Sequence, residues 1–267
     1  MALALNFASS FLPERRYLSK MLLYIDRNRK RSSIAEIAES TGIPNGASSG
    51  KVMPTIYYLL GMGIIIENDD KWYDITPFGR AVFENDILFA QKVTQIACHF
   101  NICDSVRGAI SYNQLFSNIK GNSIYTKEVI AKLFGSKVGD APFSAMVSMY
   151  SKPESFSKVR ILDFEMDGTV IVNPIPQYKE LLPLLGALLI TEQHRSFPNN
   201  QQVTIDEFDM KTHFSKYFCW RSADMDNLLN QLASMNYVKI DANLTPVVFT
   251  TLMGEDEVWA EIYSQVV

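Results

Sequence analysis

No apolar run in this chain of 267 residues reaches the roughly 18 that a membrane-spanning helix needs. The apolar opening MALALNF has neither a basic segment before it nor a small-residue cleavage site after it, which argues against a secretory signal. Cysteine is scarce. Cys98, Cys103 and Cys219 cannot all pair, and no spacing matches a metal finger. A cytoplasmic, reducing setting is the simplest reading. Long or low-complexity linkers are also missing, so the chain is expected to pack as one body.

What is present is ordinary globular material, 47% hydrophobic and 20% charged. The net charge of -4 argues against a protein that coats nucleic acid, but its distribution is uneven. Residues 1–60 carry eight Lys/Arg (Arg15, Arg16, Lys20, Arg27, Arg29, Lys30, Arg31, Lys51) against four acids, a net +4 that leaves -8 for the remainder. A basic N-terminal module on an acidic body is the footprint of a local nucleic-acid contact. A solvated helix end at Arg27–Arg31 is the competing reading.

The stretch from Ser32 to Arg80 organises the chain. Before it, Leu18, Met21, Leu22 and Ile25 make a helical stripe behind Pro13 and Glu14. Ser33 and Glu36 have capping-box spacing ahead of a short helix with Ile34, Ile37 and Ala38 inward. After Gly42, Pro44 and Gly46 a third helix is expected from Ser48 or Ser49. It turns Val52, Ile56, Leu59 and Leu60 inward and Lys51, Thr55, Tyr57 and Tyr58 outward. Ile64–Glu67 and Trp72–Thr76 read as strands around a polar turn, and Thr76, Pro77 and Gly79 open another helix. Helix, helix, helix and hairpin on this scale is the winged helix-turn-helix pattern. A long helix is expected from Ile87 to Cys103, with Phe89, Val93, Ile96, Ala97 and Phe100 buried.

The pattern then repeats twice without residue identity. Tyr112, Leu115, Phe116 and Ile119 give a stripe. Thr126 caps a helix carrying Val129, Ile130, Leu133 and Phe134, and Pro142 opens a third. Val159–Met166 and Thr169–Val172 flank Asp167–Gly168, a strong hairpin signal. In the last third, helices are expected over Tyr178–Leu189, Asp206–Phe218 and from Ser222. Strands follow at Tyr237–Ile240 and Val247–Thr251, then a helix over Glu255–Ser264. The expected fold is mainly α with small β-hairpins (α+β): three winged-helix-like units spanning 1–104, 105–176 and 177–267.

Candidate chemistry is sparse. The run Gly46–Lys51 is not a phosphate loop, because three residues separate its glycines and Val52 stands where Ser or Thr would bind magnesium. It reads instead as a helix N-terminus able to meet a DNA phosphate. Arg15, Arg16, Ser48, Ser49, Lys51, Thr55 and Lys71 are the candidate DNA contacts. Asp163, Glu165 and Asp167 alternate along one strand and are the one carboxylate cluster that could hold magnesium for phosphodiester cleavage, although alternation is also what the solvated face of a hairpin gives. Cys98 and Cys103 lie about 140° apart on a helix and cannot converge on one ion. His99 reads as a satisfied histidine between packed elements. His194 and His213 have no assignable catalytic partners. Trp72 and Tyr73 could stack on nucleic acid or pack beneath the hairpin.

The segments TGIPNGASSGKVMPTIYYLLGMGII, YDITPFGRAVFENDILF and VTQIACHFNI resemble an uncharacterised bacterial family known as a domain of unknown function. Gly50, Lys51, Thr76, Gly79, Asp86 and His99 fit its pattern. Ile75 replaces a usual Leu, and Ser111–Phe116 departs from an aromatic-rich segment. The likeness spans roughly residues 10–120. It implies a place beside genes for DNA phosphorothioation, where a member of the single-strand system is described as a DNA nickase. The leading expectation is a DNA-binding protein of such a defence cluster, needing no cofactor. A magnesium-dependent nickase and a protein-interaction scaffold are the alternatives, with other proteins of the cluster as possible partners. The oligomeric state is not legible.

Overall fold

Glu14 stands at the N-cap of α1 (Arg15–Arg27), and Leu18, Met21, Leu22 and Ile25 are buried as their spacing requires. The computed structural model describes residues 2–264 apart from Arg29, Ser48, Gln201 and Thr245. Ser33 caps α2 (Ile34–Thr41) in a reciprocal box: its hydroxyl accepts the Glu36 N–H, and the Glu36 carboxylate accepts the Ser33 N–H at 2.7 Å. Gly42, at φ 65°, ends the helix in the left-handed conformation a glycine supplies cheaply. Only Ile37 of this helix is buried. Ile34, expected inside, is exposed, since a helix this short covers the core with little more than one position.

The third helix, α3 (Val52–Gly61), starts later than expected, because the loop before it closes on itself through the Lys51 N–H to the Pro44 carbonyl at 2.8 Å. Its supposed outer face is also covered. Thr55 and Tyr58 are buried, with the Tyr58 hydroxyl donating to the Phe11 carbonyl at 2.9 Å and Phe7 edge-on to the Tyr58 ring. The N-terminal segment packs on that side, which helical periodicity alone does not reveal.

Strands β1 (Ile65–Glu67) and β2 (Tyr73–Ile75) pair antiparallel, Ile65 opposite Ile75. Thr76 caps α4 (Pro77–Asn85), accepting the Gly79 N–H at 2.9 Å and donating to the Gly63 carbonyl at 2.6 Å. A β-carbon on Gly79 would lie 2.0 Å from the Ile64 carbonyl oxygen, a backbone atom that cannot swing aside. Gly79→Ala is therefore expected to cost about 2 kcal/mol or more by overpacking, read as a lower urea midpoint at unchanged m-value.

Helix α5 (Lys92–Ile102) begins later than Ile87. The Asp86 carboxylate gathers the N–H groups of Ala90 and Gln91 and the Thr94 hydroxyl at 2.9, 2.8 and 2.6 Å, holding the preceding residues in a turn with Phe89 at positive φ. Nearly every side chain of α5 is buried, so this helix is an axis and not a half-covered surface element.

The middle third runs α6 (Ile110–Phe116), β3 (Ser123–Thr126), α7 (Lys127–Leu133), α8 (Ala141–Ser151), β4 (Leu162–Phe164) and β5 (Thr169–Val172). The last runs from a 3-10 turn (Lys179–Leu181) through α9 (Leu182–Ser196), β6 (Gln202–Thr204), α10 (Ile205–Thr212), α11 (Phe214–Tyr217) and α12 (Ser222–Ser234). It closes with β7 (Val238–Asp241), β8 (Val248–Thr251) and α13 (Glu255–Glu261). Their sheets have the same order, β3-β5-β4 and β6-β8-β7, so each expected hairpin is a three-stranded antiparallel sheet. The added strands lead directly into capped helices, Thr126 and Thr204 accepting the N–H of the third residue on. His213, at φ 55°, breaks the single helix expected over Asp206–Phe218 into α10 and α11. Met166 and Val129 are exposed.

The fold is thus mixed α+β with small antiparallel sheets, and one continuous apolar core runs through all three thirds. No helix among the described residues is long and apolar enough to cross a membrane.

Candidate functional site

The nominated DNA contacts separate into distinct environments. Glu14, almost buried, is bound by both Arg16 and Lys51, the Arg16 Nη2 lying 2.7 Å from its carboxylate. Two cations on one carboxylate leave one positive charge uncompensated at the start of α3. The Arg16 side chain is 65% exposed, whereas Lys51 is mostly covered and sits over the rings of Phe11 and Tyr17. Arg15 is turned toward the loop after α8, donating to the Pro153 carbonyl at 2.7 Å. Thr55 is inside, its hydroxyl bonded to the Lys51 carbonyl at 2.7 Å, and cannot reach a ligand without opening α3. Ser49 is exposed at the loop, and Lys71 is exposed at the hairpin turn, 3.8 Å from Glu67. Ser48 lies outside the described residues. Trp72 is buried and donates to the Asn28 carbonyl at 2.6 Å, so it packs under the hairpin, with Tyr73 half-buried beside it.

The three carboxylates do not form a metal site. Only Asp163 lies in β4. It accepts from Asn173 at 2.9 Å and lies 3.6 Å from Arg160. Glu165 and Asp167 belong to the turn, where Asp167 accepts the Thr169 N–H at 2.8 Å. Among the described residues no three His, Cys, Asp or Glu side chains converge as a metal would require.

His99 is fully buried where the three thirds meet. Its Nε2 donates to the Tyr217 carbonyl at 2.8 Å, which leaves Nδ1 to accept from the Tyr150 hydroxyl at 2.7 Å. Burial pushes its pKa down to about 4, against the opposing pull of the Tyr217 carbonyl, so the ring is neutral. It is a structural hub. Cys98 and Cys103 are buried, and burial raises both thiols far above their ordinary range. His213 meets Ser117 at 3.2 Å through Nδ1, and His194 lies 3.7 Å from Glu255.

A feature that no sequence motif marked is a cleft of about 720 Å³ between the β1–β2 hairpin, the ends of α3 and α5, and the helices α9 and α13. One wall is apolar, with Leu60, Ile65, Ile75, Phe78 and Trp259. The other carries Asn101, Asp104, Arg107, Thr191, Arg195 and Glu255. Arg195 binds Asp104 and Glu192 together, and Asp104 also accepts the N–H groups of Val106 and Arg107 at 2.7 Å each. Burial pushes the Glu192 carboxyl up to about 7, with Arg195 pulling it the other way. A smaller recess of about 290 Å³ shares Asp104, Arg107 and Arg195 with the cleft.

No family model and no curated protein matches the sequence. Solved structures do. A magnesium ion-bound SspB crystal structure superposes with a TM-score of 0.72, covering 98% of this chain and 87% of that chain at 11% identity. The chain has the SspB fold. A second SspB crystal structure gives a TM-score of 0.71 over the same shares, again at 11% identity. The SspB likeness therefore takes in all three thirds, well beyond the basic N-terminal stretch.

Proposed function

We propose that this chain is a component of a bacterial DNA-modification or defence system of the phosphorothioation type, acting in the cytoplasm and engaging duplex DNA with the first of three winged-helix-like units. The units are read as residues 1–104, 105–176 and 177–267. The observation that carries this reading is the agreement with SspB along nearly the whole chain. It points the same way as the resemblance of residues 10–120 to a family found beside phosphorothioation genes. The repeated order of helix, strand, helices and hairpin in the last two thirds supports the winged-helix reading. Such a system has several components, so other proteins of the cluster are natural partners.

The uncompensated charge at Arg16, Glu14 and Lys51, beside the start of α3, suits a DNA phosphate. Arg16, Ser49 and Lys71 are accessible enough to make contacts. Lys51 contributes its charge while holding Glu14. Arg15 and Thr55 serve the fold. The magnesium-dependent nickase reading gains nothing from Asp163, Glu165 and Asp167, which do not fit a cation.

Fluorescence anisotropy of a duplex oligonucleotide at two salt concentrations tests this. Affinity is expected to fall with salt at a log–log slope of roughly -0.9 per phosphate neutralised. Arg16→Ala should weaken binding on every sequence and make the slope shallower by about one phosphate's share. Binding that ignores salt, or an Arg16→Ala protein that binds like wild type, would sink the reading.

A further inference from the structure

A second group of cations, outside the first third of the chain, gathers about the start of α5. Lys158 is exposed, and its Nζ donates to the Ala90 carbonyl at 2.7 Å, two residues before Lys92. Lys92 is half-buried, with its Nζ 5.8 Å from the centre of the Tyr178 ring. Burial lowers the Lys92 pKa, and the nearby charge of Arg160 lowers it further, so two cations face each other there. Arg160 is exposed and lies 3.6 Å from Asp163, which also accepts from Asn173. Among the described residues neither Lys92 nor Lys158 makes an ion pair, so three cations stand against one carboxylate. Asp86 does not answer them, since its oxygens are taken by the N–H groups of Ala90 and Gln91 and by the Thr94 hydroxyl. Glu154 and Glu180, exposed nearby in sequence, each have an exposed lysine close by in the chain, Lys152 and Lys179.

The loop that carries Lys158 and Arg160 ties this group to the start of α1. Arg15 N–H donates to the Glu154 carbonyl at 3.0 Å, the Arg15 guanidinium to the Pro153 carbonyl at 2.7 Å, and the Ser155 hydroxyl to the Pro13 carbonyl at 2.9 Å. Further on, Lys158 N–H donates to the Gln95 side chain at 3.0 Å. From Glu154 to Arg160 is six residues, a span of about 21 Å at most. That is about six base-pair steps of duplex DNA. We infer that Lys92, Lys158 and Arg160 form a second backbone contact for the same duplex that meets Arg16 and Lys51, so that one DNA is gripped by two thirds of the chain. This rests on the DNA reading proposed above and extends it to a surface that the first unit does not supply. The chemistry favours repeated phosphates: the cations are strung along a surface loop, and neither of the clefts described above reaches them. Tyr178, 61% exposed beside Lys92, offers a ring to a sugar or base at the edge of that path.

Fluorescence anisotropy with a duplex two helical turns long, about 21 base pairs, tests this at low and near-physiological salt. The triple variant Lys92→Gln, Lys158→Gln, Arg160→Gln should bind roughly tenfold more weakly, with a log–log salt slope shallower by about two phosphates' share. Lys158→Gln with Arg160→Gln, both exposed, should show about half of that change in slope even if the half-buried Lys92 proves intolerant. A control triple, Lys132→Gln, Lys216→Gln and Lys239→Gln, removes the same charge from exposed positions elsewhere and should bind like wild type. Adding Arg16→Ala to the first triple should deepen the loss beyond either change alone, and a stoichiometric titration should saturate at one duplex per chain. Circular dichroism and thermal melting exclude unfolding as the cause. If Arg16→Ala weakens binding and the first triple does not, the second contact is overturned while the contact at α3 stands. If the first triple weakens binding and Arg16→Ala does not, the second contact stands and the one at α3 falls. Equal losses in both triples, two duplexes per chain, or no binding by wild type at low salt would each overturn the proposal.

Discussion

Replacing Arg195 with alanine is expected to destabilise the protein by about 2–3 kcal/mol in urea unfolding at pH 7.5, the worth of its charge-assisted hydrogen bonds, since Glu192 then takes up a proton and does not stand as a bare charge. The guanidinium ties two buried carboxylates, Glu192 one turn earlier on α9 and Asp104 just beyond the end of α5. Without it, Glu192 loses its cation in a site that already resists ionisation. Asp104 retains the N–H donors of Val106 and Arg107, so it continues to hold the turn after α5, and the loss falls chiefly on Glu192 and on the packing of α9. Arg195→Lys should recover part of the loss, since lysine restores the charge but not the planar fork that reaches both acids. In the Glu192→Gln background Arg195→Ala should cost less, because glutamine holds no charge for the guanidinium to stabilise, and the difference measures the coupling of the pair. A loss below about 1 kcal/mol would mean that solvent in the cleft screens the cluster as it screens a surface pair.

The local rules of the chain were legible and its long-range closures were not. The stripe of α1, the Ser33–Glu36 box, the Thr76 and Thr126 caps and the Asp167–Gly168 turn all follow from residues a few positions apart, and they stand as read. Strands β3 and β6 were missed because each is short and runs straight into a helix, so its pairing partner lies some 40 residues on or more and leaves no local signal. Thr55 and Tyr58 were turned outward because a helical wheel assumes one covered face, and the N-terminal segment covers the second. Lys51 was legible as a cation at a helix start, but Glu14, which binds it, is 37 positions away. Asp104 and Arg195, which build one wall of the cleft, are 91 positions apart and belong to no motif. His99 was placed correctly between packed elements, although the residues that satisfy it, Tyr150 and Tyr217, could not be named from spacing.

His99 and Glu192 should make opposite contributions to stability across one pH window, and the two variants that remove them should separate those contributions. The His99 pKa falls from 6.5 to about 4 on folding. Between those values the unfolded chain takes up a proton that the folded chain refuses, so His99 withdraws stability as pH falls. The Glu192 pKa rises from 4.5 to about 7. Between those values the folded chain keeps a proton that the unfolded chain releases, so Glu192 withdraws stability as pH rises. Each effect has a limiting slope of about 1.4 kcal/mol per pH unit, and across the overlap, pH 4.5 to 6.5, they cancel. Glu192→Gln should therefore lose stability relative to wild type on acidification through that window, by about 2 kcal/mol over one and a half pH units. Above pH 7 the same variant should stand highest relative to wild type, because it no longer has to ionise a buried acid, on top of a pH-independent loss of the Arg195 contact. His99→Gln should show the reverse slope against wild type, on top of a pH-independent loss from the Tyr150 and Tyr217 bonds. Guanidinium unfolding at pH 5.0, 6.5 and 8.0 on the three proteins reads these slopes directly. Parallel curves for all three would mean that water reaches both groups in the folded state and that neither is buried as the packing around α5 and α9 requires.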